Sequence, residues 1–254
     1  MDIYLINLAR RPDRLAAMLR QAPDLDRVEA VDARNMDRGT IDRWFQASGP
    51  LGEIPVGDKA CLLSHRLAWE RFLVTGNGHA VFLEDDVRLS SSAPALLKDA
   101  GWIPPDVAVV KLEHYGPPGQ SVLLSDFRDV GQGFRLARMR SRHTGGAAYI
   151  LSRRAAELLL QIPRFDLPVD HLLFNPNNSK LFARLRPWQL LPTIARQQQE
   201  NGSDIEGWRV GLRKFDSTYA KRELIRFCYD LKLLPLQLAL LAAGKAKFMR
   251  VAED

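Results

Sequence analysis

The segment Val81-Phe82-Leu83-Glu84-Asp85-Asp86-Val87 joins a short apolar run directly to three consecutive carboxylates. Valine and phenylalanine favour strands, and in an open α/β sheet the residues after a strand's carboxyl end face the crevice where ligands bind. Three adjacent acids repel one another, so the pattern favours a bound cation, and carboxylate oxygens suit Mg²⁺ or Mn²⁺. A solvated acidic turn is the alternative interpretation of the same residues.

The residues before this segment follow the pattern of a parallel sheet. Ile3–Leu8 predicts a buried first strand, Pro12 suits the first turn of a helix, and Val28–Val31 predicts a second strand. A strand, a helix and a strand in this order form the unit of a parallel sheet. We therefore expect an α/β fold with a central, mostly parallel sheet flanked by helices.

Further elements are predicted along the chain. Asp58 can cap a helix that runs to about Val74, and residues 116–119 interrupt the chain with two glycines and two prolines. Residues 197–207 are polar and predict a loop, and Pro235 divides or kinks the last helix. The other predicted elements are a helix over Ala93–Ala100, strands over Val107–Leu112, Phe134–Met139 and Ala147–Leu151, a helix over Arg154–Gln161, an extended segment over Arg186–Pro192 and a helix over Ser217–Ala243.

The composition allows a large domain with an anionic partner. The chain has 254 residues, of which 46% are hydrophobic, and a net charge of +6. The length suffices for one α/β domain with a substantial core, and the charge suits nucleotide phosphates or an anionic membrane surface. Because the basic residues are spread along the chain and no helix-turn-helix or aromatic RNA-binding signature occurs, we expect no nucleic-acid partner.

The cysteines and the termini bear on location. Cys61 and Cys228 stand far apart in no paired motif, which predicts reduced, buried thiols in a cytoplasmic protein. No signal peptide is recognisable, and no apolar stretch reaches the ~20 residues that span a bilayer. Leu231–Leu234 and Leu236–Ala243 lie among lysines and arginines, so this tail either packs on the domain or rests on the cytoplasmic face of the inner membrane.

Several short motifs occur in a characteristic order. They are Ile6-Asn7-Leu8, Arg11-Pro12-Asp13-Arg14, Ala30-Val31-Asp32, Leu63-Ser64-His65, Leu83-Glu84-Asp85-Asp86-Val87, Gly146 with Tyr149-Ile150-Leu151-Ser152, Pro168-Val169-Asp170, and the polar stretch around Gln198 and Ser203. With these motifs, over about residues 3 to 205, the chain resembles glycosyltransferase family 25, which includes bacterial lipooligosaccharide galactosyltransferases. Ala60-Cys61 departs from the Gly-Cys pair that the family commonly has.

The resemblance implies a GT-A type fold that binds a nucleotide sugar through a divalent metal, Mn²⁺ or Mg²⁺, and an acidic motif. It implies inverting transfer, usually of galactose from UDP-galactose, to a glycan or lipid-linked glycan in surface polysaccharide synthesis. Residues 1–215 would form this domain, with a donor half at 1–115 and an acceptor half at 116–215, and residues 216–254 a helical basic extension. Another metal-dependent nucleotide enzyme, such as a nucleotidyltransferase, is the alternative, although no glycine-rich phosphate loop is present.

The three carboxylates of the acidic motif are expected to have different roles. Glu84 and Asp86 are two residues apart, so they face the same side of an extended backbone. By resemblance, Asp86 binds the metal, Glu84 contacts the donor, and Asp85 assists either or bonds the backbone. The metal would offset charge on the departing diphosphate.

The other donor-binding candidates follow the first two strands or lie on the helix before the acidic motif. Asn7 and Arg14 follow the first strand, where Arg14 contacts phosphate or uracil unless it is only a solvated helix start. Asp32 ends the second strand and either accepts from ribose hydroxyls or caps a turn. Ser64 and His65 match the family motif, but a histidine on the apolar side of a helix is more often a core residue.

Inverting transfer needs a base for the acceptor hydroxyl. Asp170 is the candidate, with a helix N-cap as its alternative role and Glu113 held in reserve. For the acceptor, Gly146 permits a close backbone approach to a sugar, and Trp188 offers a stacking face. A tight turn and core packing are the respective alternatives.

Overall fold

The computed structural model of the protein describes residues 1–116, 120–198 and 217–254, which form a mixed α/β fold, as predicted. The strands are β1 (Asp2–Asn7), β2 (Asp26–Glu29), β3 (His79–Glu84), β4 (Val87–Leu89), β5 (Val109–Lys111), β6 (Glu113–His114), β7 (Ser121–Gly131), β8 (Phe134–Met139), β9 (Ala148–Ser152), β10 (Trp188–Leu191), β11 (Ala195–Gln197) and β12 (Ala246–Arg250). The helices are α1 (Pro12–Gln21), α2 (Arg38–Asp42), α3 (Val56–Val74), α4 (Ala93–Leu97), α5 (Arg153–Leu160), α6 (Val169–Phe174), α7 (Phe182–Leu185) and α8 (Ser217–Ala242).

The predicted βαβ opening is confirmed. β1 lies between β2 and β3 and runs parallel to both, with Ile6 opposite Val28 on one side and Glu84 on the other. α1 begins at Pro12, whose fixed φ and missing N–H suit the first helical position. The carboxyl ends of these three strands therefore meet at one edge of the sheet.

The central sheet is mixed, so the expectation of a mostly parallel sheet was wrong. Its nine strands follow the order β12-β7-β8-β10-β5-β9-β3-β1-β2. Parallel pairing joins β1 to β2, β1 to β3 and β5 to β10, and the other neighbouring pairs are antiparallel. One reason is the β7–β8 hairpin, whose turn places Gly131, Gln132 and Gly133 at positive φ, because a short connection can join only antiparallel strands.

Helices cover both faces of the sheet. Side chains alternate along β1, so Tyr4 and Ile6 belong to one buried apolar cluster and Leu5 to another. The first cluster includes residues of α3, α5 and α6, and the second includes residues of α1 and α4. The helix predicted from Asp58 is α3, but it begins at Val56 and places Asp58 inside its first turn, so the predicted cap is wrong.

The C-terminal region contributes a strand as well as a helix. α8 continues through Pro235 as one helix, and β12 then pairs with β7 at the edge of the central sheet. Neither β7 nor β12 was predicted, and Cys228 of α8 is exposed, so the expectation of a buried thiol there was wrong. The sheet contains strands from both sides of Gly116, and its division into donor and acceptor halves stays a prediction. Most of the predicted loop at 197–207 lies outside the described residues.

Candidate active site

A cleft opens at the carboxyl ends of β1, β2 and β3, the edge where open α/β sheets bind ligands. Its lining includes Gly57 and Cys61 of α3, the acidic motif and Arg10. The predicted site residues that line this cleft are Arg14, Asp32, Ser64, Glu84, Asp85 and Asp86. Asn7, His65, Gly146, Asp170 and Trp188 do not line it.

Asp85 is bound to the protein through both of its oxygens. Arg14 Nη1 donates to Oδ1 at 3.0 Å, and Asn7 Nδ2 donates to Oδ2 at 2.8 Å. Asn7 in turn accepts from Arg27 Nε at 3.0 Å. Burial raises the pKa of Asp85 above its usual value, against these bonds, which lower it. Asn7 therefore supports the acidic motif from beneath the cleft.

Asp86 presents a carboxylate oxygen without a partner. Gln197 Nε2 donates to Oδ2 at 3.0 Å, and Arg14 Nη1 lies 4.0 Å from the same oxygen. Oδ1 is buried and has no hydrogen-bond partner among the described residues. Burial, together with the charge of Glu84, raises the pKa of Asp86 to about 7. A bound cation would satisfy the free oxygen and relieve the repulsion between the two carboxylates, so these residues fit the predicted divalent metal.

The contact between Gln197 and Asp86 arises from a second, three-stranded sheet of order β4-β11-β6. In this sheet Gln197 pairs with Val87, and the N–H of Gln198 donates to the carbonyl of Asp86 at 2.8 Å. The two segments are more than a hundred residues apart in the chain, so no local sequence pattern predicts that Gln197 belongs to the site.

Asp32 and Ser64 shape the cleft at the end of β2. Arg10 Nε donates to Asp32 Oδ2 at 2.8 Å, and the Arg34 N–H donates to Oδ1 at 3.0 Å. Burial alone would raise the pKa of Asp32, but the bonds from Arg34 and Arg10 outweigh it and hold the pKa below its usual value. Ser64 Oγ accepts from the Val31 N–H at 2.9 Å. Asp32 thus caps a turn and lines the cleft as well.

His65 is fully buried behind the cleft. Its Nε2 lies 3.2 Å from Glu84 Oε1, and its Nδ1 lies 2.7 Å from the Tyr149 hydroxyl. Trp69 Nε1 donates to the same hydroxyl at 2.9 Å. Cys61 Sγ lies 3.7 Å from Glu84 Oε1. Sequence reasoning missed Tyr149 and Trp69, because their polar atoms meet His65 only when β9 packs beneath α3.

Cys61, His65 and Glu84 each place one potential ligand atom within 4.8 Å of the others. A metal bound there would need a thiolate and an imidazole without a proton on the nitrogen that faces Glu84. Without a metal, burial followed by the charge of Glu84 raises the pKa of the Cys61 thiol well above its usual value, and Cys61 Sγ and His65 Nε2 both contact Glu84 Oε1. We therefore interpret these three residues as a hydrogen-bonded cluster.

Asp170 lies in the first turn of α6, beside the glycine turn that precedes β9. The Gly145 N–H points to Asp170 Oδ2 at 3.5 Å, and a Cβ on Gly146 would lie 3.6 Å from the Asp170 Cα. After burial and the charges of Glu84 and Asp58, the charge of Asp170 also raises the pKa of the Cys61 thiol.

A buried ion pair supports the same glycine turn. Lys111 Nζ donates to Glu113 Oε1 at 3.0 Å and also to the carbonyl of Gly145. The Ala147 N–H donates to Glu113 Oε1 at 2.8 Å. Both charged side chains are fully buried, so Glu113, the reserve candidate for the base, holds the turn in place and does not reach the cleft.

Trp188 is a core residue. Only 2% of it is exposed, and it belongs to the second apolar cluster through its position in β10. The Arg128 guanidinium lies 4.4 Å above its ring. Core packing, the alternative interpretation, therefore describes Trp188, and the structure does not offer its ring to an acceptor sugar.

Carboxylates and arginines line a cleft at the carboxyl edge of the sheet. These features place the protein in the class of α/β proteins that bind anionic ligands at this edge. Comparison with known families narrows the class. Residues 1–173 match glycosyltransferase family 25 (LPS biosynthesis protein), and the chain belongs to this family. The matched region includes every predicted site residue except Trp188.

The chain is similar to several curated relatives. It is 31% identical over 158 residues to the lacto-N-neotetraose biosynthesis glycosyltransferase LgtB of Neisseria meningitidis serogroup A, covering 56% of this chain and 53% of the relative. It is 30% identical over 173 residues to the lipooligosaccharide biosynthesis protein lex-1 of Haemophilus influenzae, covering 62% and 55%. It is 28% identical over 191 residues to the probable inactive glycosyltransferase 25 family member 3 of Bos taurus, covering 68% and 31%. The chain spans about half the length of the two bacterial relatives.

Proposed function

We propose that the protein is an inverting, metal-dependent glycosyltransferase of GT-A type. In this proposal it moves galactose from UDP-galactose to a glycan acceptor in lipopolysaccharide or other surface polysaccharide synthesis. The observation that carries the proposal is the buried Asp86 Oδ1, which has no hydrogen-bond partner among the described residues, in the acidic cleft of a family 25 chain. The bacterial relatives named for lipooligosaccharide and lacto-N-neotetraose biosynthesis support the acceptor class. The family match does not favour a nucleotidyltransferase.

The cleft residues have distinct roles in this proposal. Asp86 would hold Mn²⁺ or Mg²⁺, which would offset the negative charge of the departing diphosphate, and Glu84 contacts the donor sugar. Arg14, at the wall of the cleft, adds positive charge beside the same phosphates. Asp32, which is ionised at neutral pH, accepts hydrogen bonds from the ribose hydroxyls. These roles agree with the binding of ligands at the carboxyl edge of parallel strands.

Asp170 acts as the base in the same proposal. The acceptor hydroxyl attacks the anomeric carbon from the side opposite the diphosphate, and its proton passes to the Asp170 carboxylate. The long 3.5 Å contact with the Gly145 N–H leaves this carboxylate weakly bound and therefore available to a ligand. Gly146 packs beside Asp170, and as a glycine it permits a close backbone approach of the acceptor sugar.

Transfer of radiolabelled galactose from UDP-galactose tests the function. We expect the wild-type protein to transfer only with Mn²⁺ or Mg²⁺ present, and Asp86→Asn to lose about 100-fold or more in kcat. Asp24→Asn, which makes the same change at an exposed carboxylate outside the family motifs, serves as the matched control. Full activity in Asp86→Asn contradicts the metal role, and wild-type protein that uses no nucleotide sugar overturns the function itself.

A thermal-shift panel of nucleotide sugars separates donor identity from catalysis. Stabilisation by UDP-galactose in the presence of Mn²⁺, and by no other donor, supports the galactose assignment. Stabilisation by a different nucleotide sugar replaces galactose in the proposal and leaves the transfer reaction intact. Asp170→Asn should keep this stabilisation while losing kcat, because it removes a base and no donor contact.

We also propose that α8 rests on an anionic membrane surface. Leu224, Phe227, Leu231, Leu234 and Leu238 share one face of α8, since they are spaced by three and four residues, and each is at least 41% exposed. The region from α8 to β12 is rich in lysine and arginine, which complements anionic lipid. In the described part of the chain, none of the helices combines the length and apolar character needed to cross a membrane.

A further inference from the structure

We propose that Trp69, Tyr149 and His65 form a directional hydrogen-bond chain that positions the Glu84 carboxylate for the donor sugar. The inference rests on the proposed function, since it assigns Glu84 to the donor. Trp69, Tyr149 and His65 are positioning residues in this proposal, because they act on the ligand through Glu84.

The chain of contacts is continuous and buried. It runs from Trp69 Nε1 to the Tyr149 hydroxyl at 2.9 Å, from this hydroxyl to His65 Nδ1 at 2.7 Å, and from His65 Nε2 to Glu84 Oε1 at 3.2 Å. Trp69, Tyr149 and His65 are each 0% exposed. Water therefore cannot replace any of these partners, and the energetic cost of a missing one is high.

The chemistry of the donors fixes the direction of the chain. An indole N–H can only donate, so the Tyr149 oxygen accepts from Trp69. Among the described residues, His65 Nδ1 is then the one hydrogen-bond acceptor in contact with the Tyr149 hydroxyl. Nδ1 therefore accepts the phenolic hydrogen. A neutral imidazole that accepts at Nδ1 carries its proton at Nε2, which faces Glu84. With this tautomer, the N–H of Trp69, the O–H of Tyr149 and the Nε2–H of His65 each have an acceptor.

The direction of the chain has two consequences for Glu84. His65 donates to Oε1, and the protonated Cys61 thiol points to the same oxygen at 3.7 Å. No described residue bonds Oε2, so this oxygen is available to the cleft that Glu84 lines. The carboxylate is thus held from behind by one oxygen and can accept sugar hydroxyls with the other.

The packing around Tyr149 provides a matched control. Tyr149 stacks on Phe82 with ring centroids 5.3 Å apart, and Tyr4 of β1 stacks on the same ring at 5.7 Å. Both tyrosines are buried in the central sheet, but only Tyr149 contacts His65. Tyr149→Phe and Tyr4→Phe therefore make the same chemical change in similar surroundings, and they differ in whether the chain to Glu84 is cut.

The first experiment observes the tautomer directly. Nitrogen-15 NMR of the histidine rings in the protein should show the His65 proton on Nε2, which faces Glu84, and none on Nδ1, which accepts from Tyr149. Tyr149→Phe should lose this single tautomer, whereas Tyr4→Phe should keep it. A proton on Nδ1 in the wild-type protein overturns the inference, whether or not the protein transfers sugar.

The second experiment measures transfer kinetics with the donor and the acceptor varied separately. We expect Tyr149→Phe to lower kcat/KM for the donor roughly tenfold, with the acceptor KM unchanged and Tyr4→Phe within twofold of the wild type. His65→Gln, whose amide can donate to Glu84, should retain more activity than His65→Leu at a comparable melting temperature. A purely structural role of His65 predicts no such rescue by glutamine.

The outcomes separate the two proposals. If the wild-type protein transfers sugar and Tyr149→Phe matches Tyr4→Phe in donor kcat/KM, the positioning role is wrong and the proposed function stands. If the wild-type protein uses no nucleotide sugar, the proposed function fails, and the NMR result still reports whether the hydrogen-bond chain exists.

Discussion

His143 is a histidine that its surroundings keep neutral. It is fully buried, with Nδ1 at 2.9 Å from Gln189 Oε1 and Nε2 at 3.3 Å from the Tyr115 N–H. Burial, together with the positive charge of Lys111, lowers the pKa of His143 from its ordinary 6.5 to about 3. His114, whose ring centroid lies 5.4 Å away, adds to this effect when it is protonated.

The low pKa of His143 predicts that the free energy of unfolding depends on pH in the acidic range. Between pH 6.5 and 3 the unfolded chain binds a proton at residue 143 that the folded chain does not, so the free energy of unfolding falls as the pH is lowered. From pH 7 to pH 4 we expect the wild type to lose roughly 2–3 kcal/mol more than His143→Gln loses, each relative to its own value at pH 7. Urea unfolding at the two pH values measures both losses.

His114→Gln is the control for this measurement. Its ring is less buried than that of His143, so the variant should change the pH dependence less. Equal losses in the wild type and His143→Gln would show that the folded protein does not exclude the proton from His143. The other carboxyl and histidine titrations are common to the variants and cancel in the comparison.

For single residues, the sequence predicts which of them lie near the cleft better than it predicts what each of them does there. Asp32, Ser64 and the acidic motif follow strands or occupy a family motif, and they line the cleft, while their roles in donor binding stay a prediction. His65 and Asn7 occupy equally suggestive positions, but both lie behind the cleft and bond the acids in front of them. This difference depends on neighbours from other strands and helices, and a local sequence pattern contains no information about them.

In the turn that precedes β9, Gly145 and Gly146 differ in whether the backbone and its surroundings require a glycine. Gly145 has φ +95°, and a Cβ there would lie 2.5 Å from the Tyr115 Cβ. Gly146 has an ordinary φ, and a Cβ there would lie 3.4 Å from Val169 Cγ1, within normal contact distance. Left-handed backbone and steric overlap therefore require glycine at position 145 only.

Alanine substitutions in this turn test the difference. We expect Gly145→Ala to destabilise the fold by about 2 kcal/mol or more, because strain and overlap add, which lowers the melting temperature by roughly 5 °C. Gly146→Ala should stay within about 1 kcal/mol of the wild type. Differential scanning fluorimetry compares the two variants, and similar melting temperatures would contradict the proposed geometry of the turn.

The elements that were predicted are specified by nearby residues in the sequence. The features that were missed depend on residues far away in the chain. The βαβ opening was predicted because apolar periodicity and Pro12 specify it within a short segment. The reversed direction of β9, the pairing of β12 with β7 and the pairing of β11 with β4 were not predicted. Each of these depends on a partner distant in the chain, and strand pairing between distant segments leaves no periodic signal in either one.

For the whole molecule, the exposed face of α8 is the main surface feature that the cleft does not explain. Phe227, Leu231, Leu234 and Leu238 are 59%, 43%, 41% and 54% exposed, although the other side of the helix contacts the domain, where Gln237 Nε2 donates to the Arg140 carbonyl at 2.7 Å. An exposed apolar stripe of this length is costly in water and is typical of an interaction surface. The net charge of +6 favours an anionic bilayer as the occupant.

Vesicle co-sedimentation tests this surface. We expect binding to vesicles that contain phosphatidylglycerol and little binding to neutral phosphatidylcholine vesicles, with a decrease as salt screens the attraction. Combining Leu231→Ser, Leu234→Ser and Leu238→Ser should weaken binding about tenfold or more, because apolar area leaves the interface. Leu19→Ser with Leu67→Ser, which changes leucines of similar exposure on α1 and α3, should leave it unchanged. If the triple variant instead abolishes a dimer seen by analytical ultracentrifugation and vesicle binding stays intact, the stripe contacts a second copy of the chain and the membrane proposal is wrong.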